Sequence, residues 1–155
     1  MSLWKKTLGI RLWSFFKVPM LSLVCPSVKK LDGKTCEILI RLRWLTKNHF
    51  NSMYMGVLAA GADAASGLLA LEIAKKKGKQ GGKVNVIFKA ISAEFFRRAD
   101  SHTSFVCEEG DKIEEAVSRV LHTGERQNIP VTVKAYCFKK SREPVAKFRV
   151  TLSLK

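Results

Sequence analysis

The sequence predicts an α+β chain in which one antiparallel sheet of five strands curls round a long central helix. Three observations point there. From Met55 to Leu71 the chain is almost wholly small or apolar, with Asp63 its one charged residue, which suits a helix buried on nearly all sides. Several later stretches alternate apolar and polar residues with the period of a half-buried strand. Most are divided by short turn-forming segments, so neighbours in sequence can pair antiparallel. At 155 residues, 46% hydrophobic and 9% aromatic, the chain reads as one domain over 1–155, large enough for a core. Residues 1–24 read as an N-terminal helical extension.

In order along the chain, Leu3, Leu12, Trp13, Phe15 and Phe16 mingle with Lys5, Lys6, Arg11 and Lys17 in a helical pattern that Pro19 ends. The expectation is a helix that packs its aromatic side on the domain, with attachment to a membrane surface as the alternative. Its cations interrupt every apolar run well short of the ~20 residues a membrane span needs. No small-residue cleavage site follows a clean apolar block, so a signal peptide is not expected either. Thr35 to Trp44 alternates as the first strand, with Ile38, Ile40, Leu42 and Trp44 on one face and Glu37, Arg41 and Arg43 on the other. Residues 53–76 form the long helix, with Asn51 or Ser52 as N-cap. Lys75, Lys76 and Lys77 suit its C-terminus, and Gly78, Gly81 and Gly82 fall in the loop beyond. Lys83 to Phe96 is the second strand and Thr103 to Glu109 the third, divided at Ala99–Ser101. Between the third and fourth strands, Asp111 to His122 is a short helix: Ile113, Ala116, Val117, Val120 and Leu121 recur at three and four, Asp111 is placed to cap, and Gly124 follows the end. Pro130 to Phe138 and Ala146 to Leu154 are the last two strands, joined by a turn over Lys140 to Pro144.

The formal charge of +15, from 28 Lys plus Arg against 13 Asp plus Glu, favours an acidic partner: nucleic acid, anionic lipid or a phosphate-bearing ligand. Solubility alone is the plainer reading. The cations are spread over the chain without the interleaved aromatics of a single-strand platform, which weighs against nucleic acid. Cys25, Cys36, Cys107 and Cys137 are scattered without a CxxC pair. That pattern fits a reducing, cytoplasmic setting and argues against a zinc site or a disulfide scaffold.

The glycines around Asp63 each forfeit about 1 kcal/mol of helix propensity relative to Ala, so the helix must be sheathed closely. A lone aspartate there is expected to face a partly dry pocket, where desolvation raises its pKa, or a structural hydrogen bond. Gly56 lies two turns earlier on the same face. His49 has no nucleophile at a recognisable spacing, and His102 and His122 read as surface residues.

Asn48 stands eight positions before Gly56, and Asp63 seven after it. With VNVIFKAISAEFFRRA over 84–99 and the stretch 145–155, this arrangement resembles the hotdog-fold thioesterases, close to the phenylacetate-pathway type of acyl-CoA thioesterase and to uncharacterised relatives of it. The resemblance covers roughly residues 25 to 155. In that type a loop asparagine precedes a His-Gly-Gly turn opening the central helix, and a helical carboxylate lies seven residues after the second glycine. Tyr54 and Met55 stand here in place of the His and the first Gly, a departure that bears on catalysis rather than on fold. The resemblance implies a hotdog fold, acyl-CoA thioester hydrolysis and no cofactor beyond the coenzyme A of the substrate. It also implies a homodimer or a dimer of dimers, with Gly56 and Asp63 meeting across the interface from different protomers.

Hydrolysis of a thioester needs a group that activates water or attacks directly, and donors aimed at the oxygen on which charge develops. Asp63 supplies the carboxylate, as base or nucleophile. Gly56, at a helix start, offers an unhindered backbone N–H reinforced by the helix dipole. Asn48 would orient the carbonyl or the water, with loop capping as its alternative role. The phosphates of coenzyme A call for cations, for which Arg97 and Arg98 are the first candidates, with Lys79 and Lys83 behind them. Two other classes compete: a hotdog protein that binds acyl-CoA or acyl lipid without hydrolysis, and a basic nucleic-acid or membrane-surface binder. A dehydratase of the same fold is disfavoured, since no histidine is placed to pair with Asp63.

Overall fold

The computed structural model describes residues 3–138 and 143–155, without the side chains of residues 79–81. Two helices, α1 (Leu3–Lys17) and α2 (Pro19–Leu23), precede strands β1 (Ser27–Leu31) and β2 (Cys36–Ile40). A 3-10 turn, Trp44–Thr46, leads to the long helix α3 (Met55–Gly81), then β3 (Val86–Phe95) and β4 (Thr103–Cys107). Helix α4 (Gly110–Thr123) and strands β5 (Gln127–Cys137) and β6 (Ala146–Leu154) complete the chain. The strands form one six-stranded sheet in the order β1-β2-β4-β5-β6-β3, antiparallel at every step. It curls round α3, as the sequence predicts.

Helix α3 has no polar stripe because it has no solvent face over most of its length. Val57, Leu58, Ala62, Ala65, Leu69, Ala70 and Ile73 are all buried, on the sheet on one side and α4 on another. By length and composition alone Met55–Gly78 could cross a membrane, but two thirds of that segment (67%) is buried inside the fold. Small side chains permit the close approach: a Cβ at Gly61 would lie 2.4 Å from Cε2 and Cζ of Phe105. Phe105 and Phe148, both fully buried, anchor the core with ring centroids 6.5 Å apart. Ile113, Ala116, Val117 and Val120 form the buried stripe of α4, matching the three-and-four spacing of the sequence. Cys36 opposes Cys107 across the β2–β4 ladder. Both thiols are free and buried, and burial pushes Cys107 up to about 11.

Several local expectations are corrected. Ser27–Leu31 is a sixth strand, hidden in the sequence because a register shift between Val28 and Lys30 breaks its alternation. The first predicted strand stops at Ile40, and Trp44 is exposed in the 3-10 turn that follows. Helix α3 runs on past Lys75–Lys77 and Gly78 to a C-cap at Gly82, whose φ of 126° needs glycine. Tyr54, not Asn51 or Ser52, is the N-cap of α3. Glu109 is the N-cap of α4, and Asp111 sits in its first turn. Within the predicted turn over Lys140 to Pro144, residues 140–142 lie outside the described residues. The largest correction concerns α1. Its aromatic side faces solvent, with Trp4, Leu8, Leu12, Phe15 and Phe16 exposed, while Ile10 and Ser14 are buried against the domain.

Strand β3 closes the sheet on the side where the site will form. Among the described residues it pairs with β6 alone, with a register shift between Phe88 and Ala90. Ile87, Phe88, Ile91 and Phe95 remain exposed along it.

Candidate active site

The loop before α3 is built by Asn48. Its side-chain oxygen accepts the backbone N–H groups of Phe50 (3.0 Å) and Ser52 (3.1 Å), and its own N–H donates to the Ser52 carbonyl at 2.7 Å. Two bonded N–H groups occupy that oxygen, so loop capping is a role the side chain does fill. Arg98 braces the loop from the far side, donating to Ser52 Oγ at 3.0 Å and to the Phe50 carbonyl, with its guanidinium 5.9 Å from the Phe50 ring centroid. Arg97 pairs with the Glu143 carboxylate at 3.1 Å and donates to the Glu143 carbonyl at 3.2 Å. Asn48, Arg97 and Arg98 thereby meet around a depression of about 600 Å3 that Met55, Leu58 and Phe95 also line.

The N-terminus of α3 opens beside that depression. Tyr54 gives no side-chain cap, and no acidic residue lies in the first turn, so the first-turn N–H groups of Met55 and Gly56 stand outside the helix ladder. Gly56 is exposed. The Tyr54 ring lies over it, and a Cβ at Gly56 would come within 2.7 Å of Tyr54 Cε1.

Asp63 sits two turns further along α3, half-buried, and burial pushes its carboxyl above the usual aspartate range. It lines two cavities. One, of about 540 Å3, lies between α3 and α1 and is walled by Ile10, Trp13, Leu68 and Phe88. The other, of about 400 Å3, opens at β3 between Ala59, Ala60, Ile91 and Val150. Phe88 borders both. Seven helix positions separate Gly56 from Asp63, about 10 Å along the axis, so one chain cannot aim both at a single carbonyl.

The remaining candidates scatter. Lys83 lies before the opposite end of β3, beside Leu71, Ile87 and Arg126, and β3 alone spans roughly 30 Å between it and Arg97 at the strand rise per residue. It does not join the arginines within one chain. The Lys79 side chain lies outside the described residues. His49 is exposed, its ring centroid 4.0 Å from that of Phe50 and tilted by 44°. His102 and His122 are exposed, and His102 Nδ1 accepts the Leu42 N–H at 3.1 Å.

Phe88, Ile10 and Trp13 are the site residues that sequence reasoning missed. Phe88 carries no local signal, being one apolar position among several in its strand. The cavity walls from α1 were legible in principle, because Lys6, Thr7, Ile10, Arg11 and Ser14 recur at three and four and mark the side that docks.

A single antiparallel sheet curled round a long, mostly buried apolar helix defines a hotdog fold. The chain matches a domain of unknown function, DUF4442, over residues 10–154, and so belongs to that family. No curated protein matches it. Among solved structures it is similar to a protein of unknown function from Chlorobaculum tepidum, at 13% identity and a TM-score of 0.78 over 99% of this chain and 96% of that one. It is also similar to a thioesterase from Pseudomonas aeruginosa, at 11% identity and a TM-score of 0.72 over 99% and 94%. A thioesterase family protein from Silicibacter pomeroyi matches at 15% identity and a TM-score of 0.68 over 96% and 97%. At these identities the likeness is one of fold.

Proposed function

We propose that the protein hydrolyses acyl-CoA thioesters as a homodimer. The observation that carries this reading is Asp63: a carboxylate on a buried helix, raised by desolvation, reached from two largely apolar cavities beside an unpaired strand edge. A buried carboxylate whose environment resists ionisation is a stronger base than one in water. The apolar walls suit an acyl chain, and a thioester carbonyl beside Asp63 would have its reacting carbon within reach of that base or of direct attack.

The ~10 Å between Gly56 and Asp63 along the helix calls for a second copy. Strand β3 offers the contact: ten residues long, at the sheet edge, with exposed apolar side chains, it is the kind of edge that natural proteins cover or pair. A two-fold axis beside β3 would set two copies of it antiparallel and carry the Gly56 end of one α3 towards Asp63 of the other. The same operation brings the Lys83 end of one strand towards the Arg97–Arg98 end of its partner, gathering cations for the coenzyme A phosphates. In the resulting site Asp63 activates a water that attacks the carbonyl carbon, or attacks it directly to give an acyl anhydride that water then cleaves, and the Gly56 N–H receives the developing oxyanion. Asn48 holds the loop that shapes the entrance, and the thiolate of coenzyme A departs.

The deciding experiment is hydrolysis of an acyl-CoA panel with free thiol as readout, run on the wild type and on Asp63→Asn. Thiol release that disappears in the variant supports the proposal. Saturable acyl-CoA binding without thiol release would instead favour a carrier of acyl groups, to which the Tyr54 and Met55 replacements lend weight.

A further inference from the structure

Helix α1 is fastened to the domain by its polar side. Lys6 Nζ donates to the Leu31 carbonyl at 2.8 Å and pairs with Glu72 at 3.4 Å. Thr7 Oγ1 accepts the Val28 N–H at 2.9 Å. Arg11 donates to the Pro26 carbonyl (3.0 Å), the Cys25 carbonyl (3.3 Å) and Ser27 Oγ (2.8 Å), and Ser14 is fully buried. A surface helix ordinarily buries its apolar stripe and shows water its charges. Here the order is inverted. Trp4 is 70% exposed and Phe16 71%, and Leu8, Leu12 and Phe15 share the same outward side. Met20 and Leu23 of α2 continue the exposed apolar surface. A contiguous patch of this size on a soluble fold marks an interaction surface.

The charge around it selects the partner. Residues 1–31 carry Lys5, Lys6, Arg11, Lys17, Lys29 and Lys30 and no Asp or Glu. Lys5 and Lys17 of α1 and Lys29 of β1 are exposed. A second copy of this face would bring like charges together. An anionic lipid surface accepts both features, since Trp, Phe and Leu enter the headgroup boundary while lysines meet lipid phosphates and carboxylates. We propose that the outward face of α1, extended by α2, seats the protein on an anionic membrane surface, with α1 lying flat in the interface. The cavity beneath α1 that ends at Asp63 then lies one helix-width from the lipid.

The test is flotation of the full-length protein with phosphatidylcholine vesicles, with and without phosphatidylserine. Wild-type protein is expected to float with the anionic vesicles, less so at high salt. The double variant L8E/F15E should lose about tenfold or more in apparent affinity. Both side chains are exposed, so its circular dichroism and melting should match wild type; the exposed pair Trp4→Ala with Phe16→Ala repeats the test without added charge. Absence of flotation overturns the proposal. So does flotation that salt abolishes but neither double variant weakens, which would reduce the effect to net charge. A wild-type oligomer that L8E/F15E splits, without vesicle binding, would assign the face to self-contact instead. None of these results depends on thioester hydrolysis, so this proposal and the catalytic one fail separately.

Discussion

Gly67 lies under the ring of Phe88, so that a Cβ there would stand 2.9 Å from Phe88 Cζ. Less than two turns earlier, a Cβ at Gly61 would stand 2.4 Å from the Phe105 ring. The two contacts differ in what can yield. Phe88 is nearly half exposed and presents the far end of its side chain, whereas Phe105 is fully buried. Gly61→Ala should therefore destabilise the protein by roughly 1–3 kcal/mol or more through overpacking. Gly67→Ala should stay within about 1 kcal/mol of wild type, since the helix gains propensity as the ring swings aside. Equilibrium denaturation of both variants checks the contrast, and equal losses would contradict it.

Asp63→Asn should abolish acyl-CoA hydrolysis and yet stabilise the fold at neutral pH. Burial raises the Asp63 pKa, so between the ordinary aspartate value and the raised one the folded chain binds more protons than the unfolded chain. Stability then falls as pH rises through that window. The asparagine variant escapes this loss, and its advantage should fade as pH falls through about 4, where aspartate becomes protonated in the unfolded state as well. Urea midpoints of the two proteins at pH 7 and near pH 3.5 give the measurement.

The same shift governs the rate. If the ionised Asp63 acts as base or nucleophile, kcat/KM should decline on the acid side with a midpoint above the ordinary aspartate value of about 3.9. An acid limb at or below that value would remove Asp63 from the chemistry.

Gly56→Ala should leave the fold intact, because the ring it would meet belongs to the exposed Tyr54. A methyl group beside the amide should nonetheless hinder approach of the thioester oxygen and lower kcat by about 10- to 100-fold. Unchanged turnover would show that the oxyanion is held elsewhere.

Arg97→Ala and Arg98→Ala should separate by their partners. Arg97 pairs with Glu143 at the rim, so its loss should raise KM for acyl-CoA with little change in kcat. Arg98 also holds the Phe50 carbonyl and Ser52 Oγ, so its loss should loosen the Asn48 loop and lower kcat as well. Steady-state kinetics on both variants would show the split.

The central helix and five of the strands were legible in the sequence because periodicity reports burial directly. A long run of small and apolar residues with one charge suits a buried helix, and the alternation of Ala146 to Leu154 matches the burial of β6. What escaped was set by tertiary partners rather than by local pattern. Ser27–Leu31 became a strand because β2 offered an edge, although its own pattern is broken by a register shift. The inward turn of α1 was misread for a related reason: its aromatics are the stronger hydrophobic signal, but Lys6, Thr7 and Arg11 find backbone carbonyls and N–H groups on β1 and the turn before it. Among the candidate site residues, Asp63 and Gly56 could be singled out by residue type and spacing, and Asn48 by the family resemblance. Phe88 could not, since only the curl of the sheet brings β3 over Gly67.

Strand β3 is synthesised before β4, β5 and β6, yet its neighbour in the sheet is β6, the last strand of the chain. Val86 lies opposite Leu154 and Phe95 opposite Ala146. The edge that borders Asp63 is therefore the last part of the sheet to find its place as the protein leaves the ribosome. Until β6 emerges, Ile87, Phe88, Ile91 and Phe95 belong to a strand without a template. Pairing across such a sequence distance is slow and exposes sticky surface meanwhile. A premature stop before β6 would thus cost more than one strand: it would leave a nascent chain primed to aggregate, with no wall beside its carboxylate.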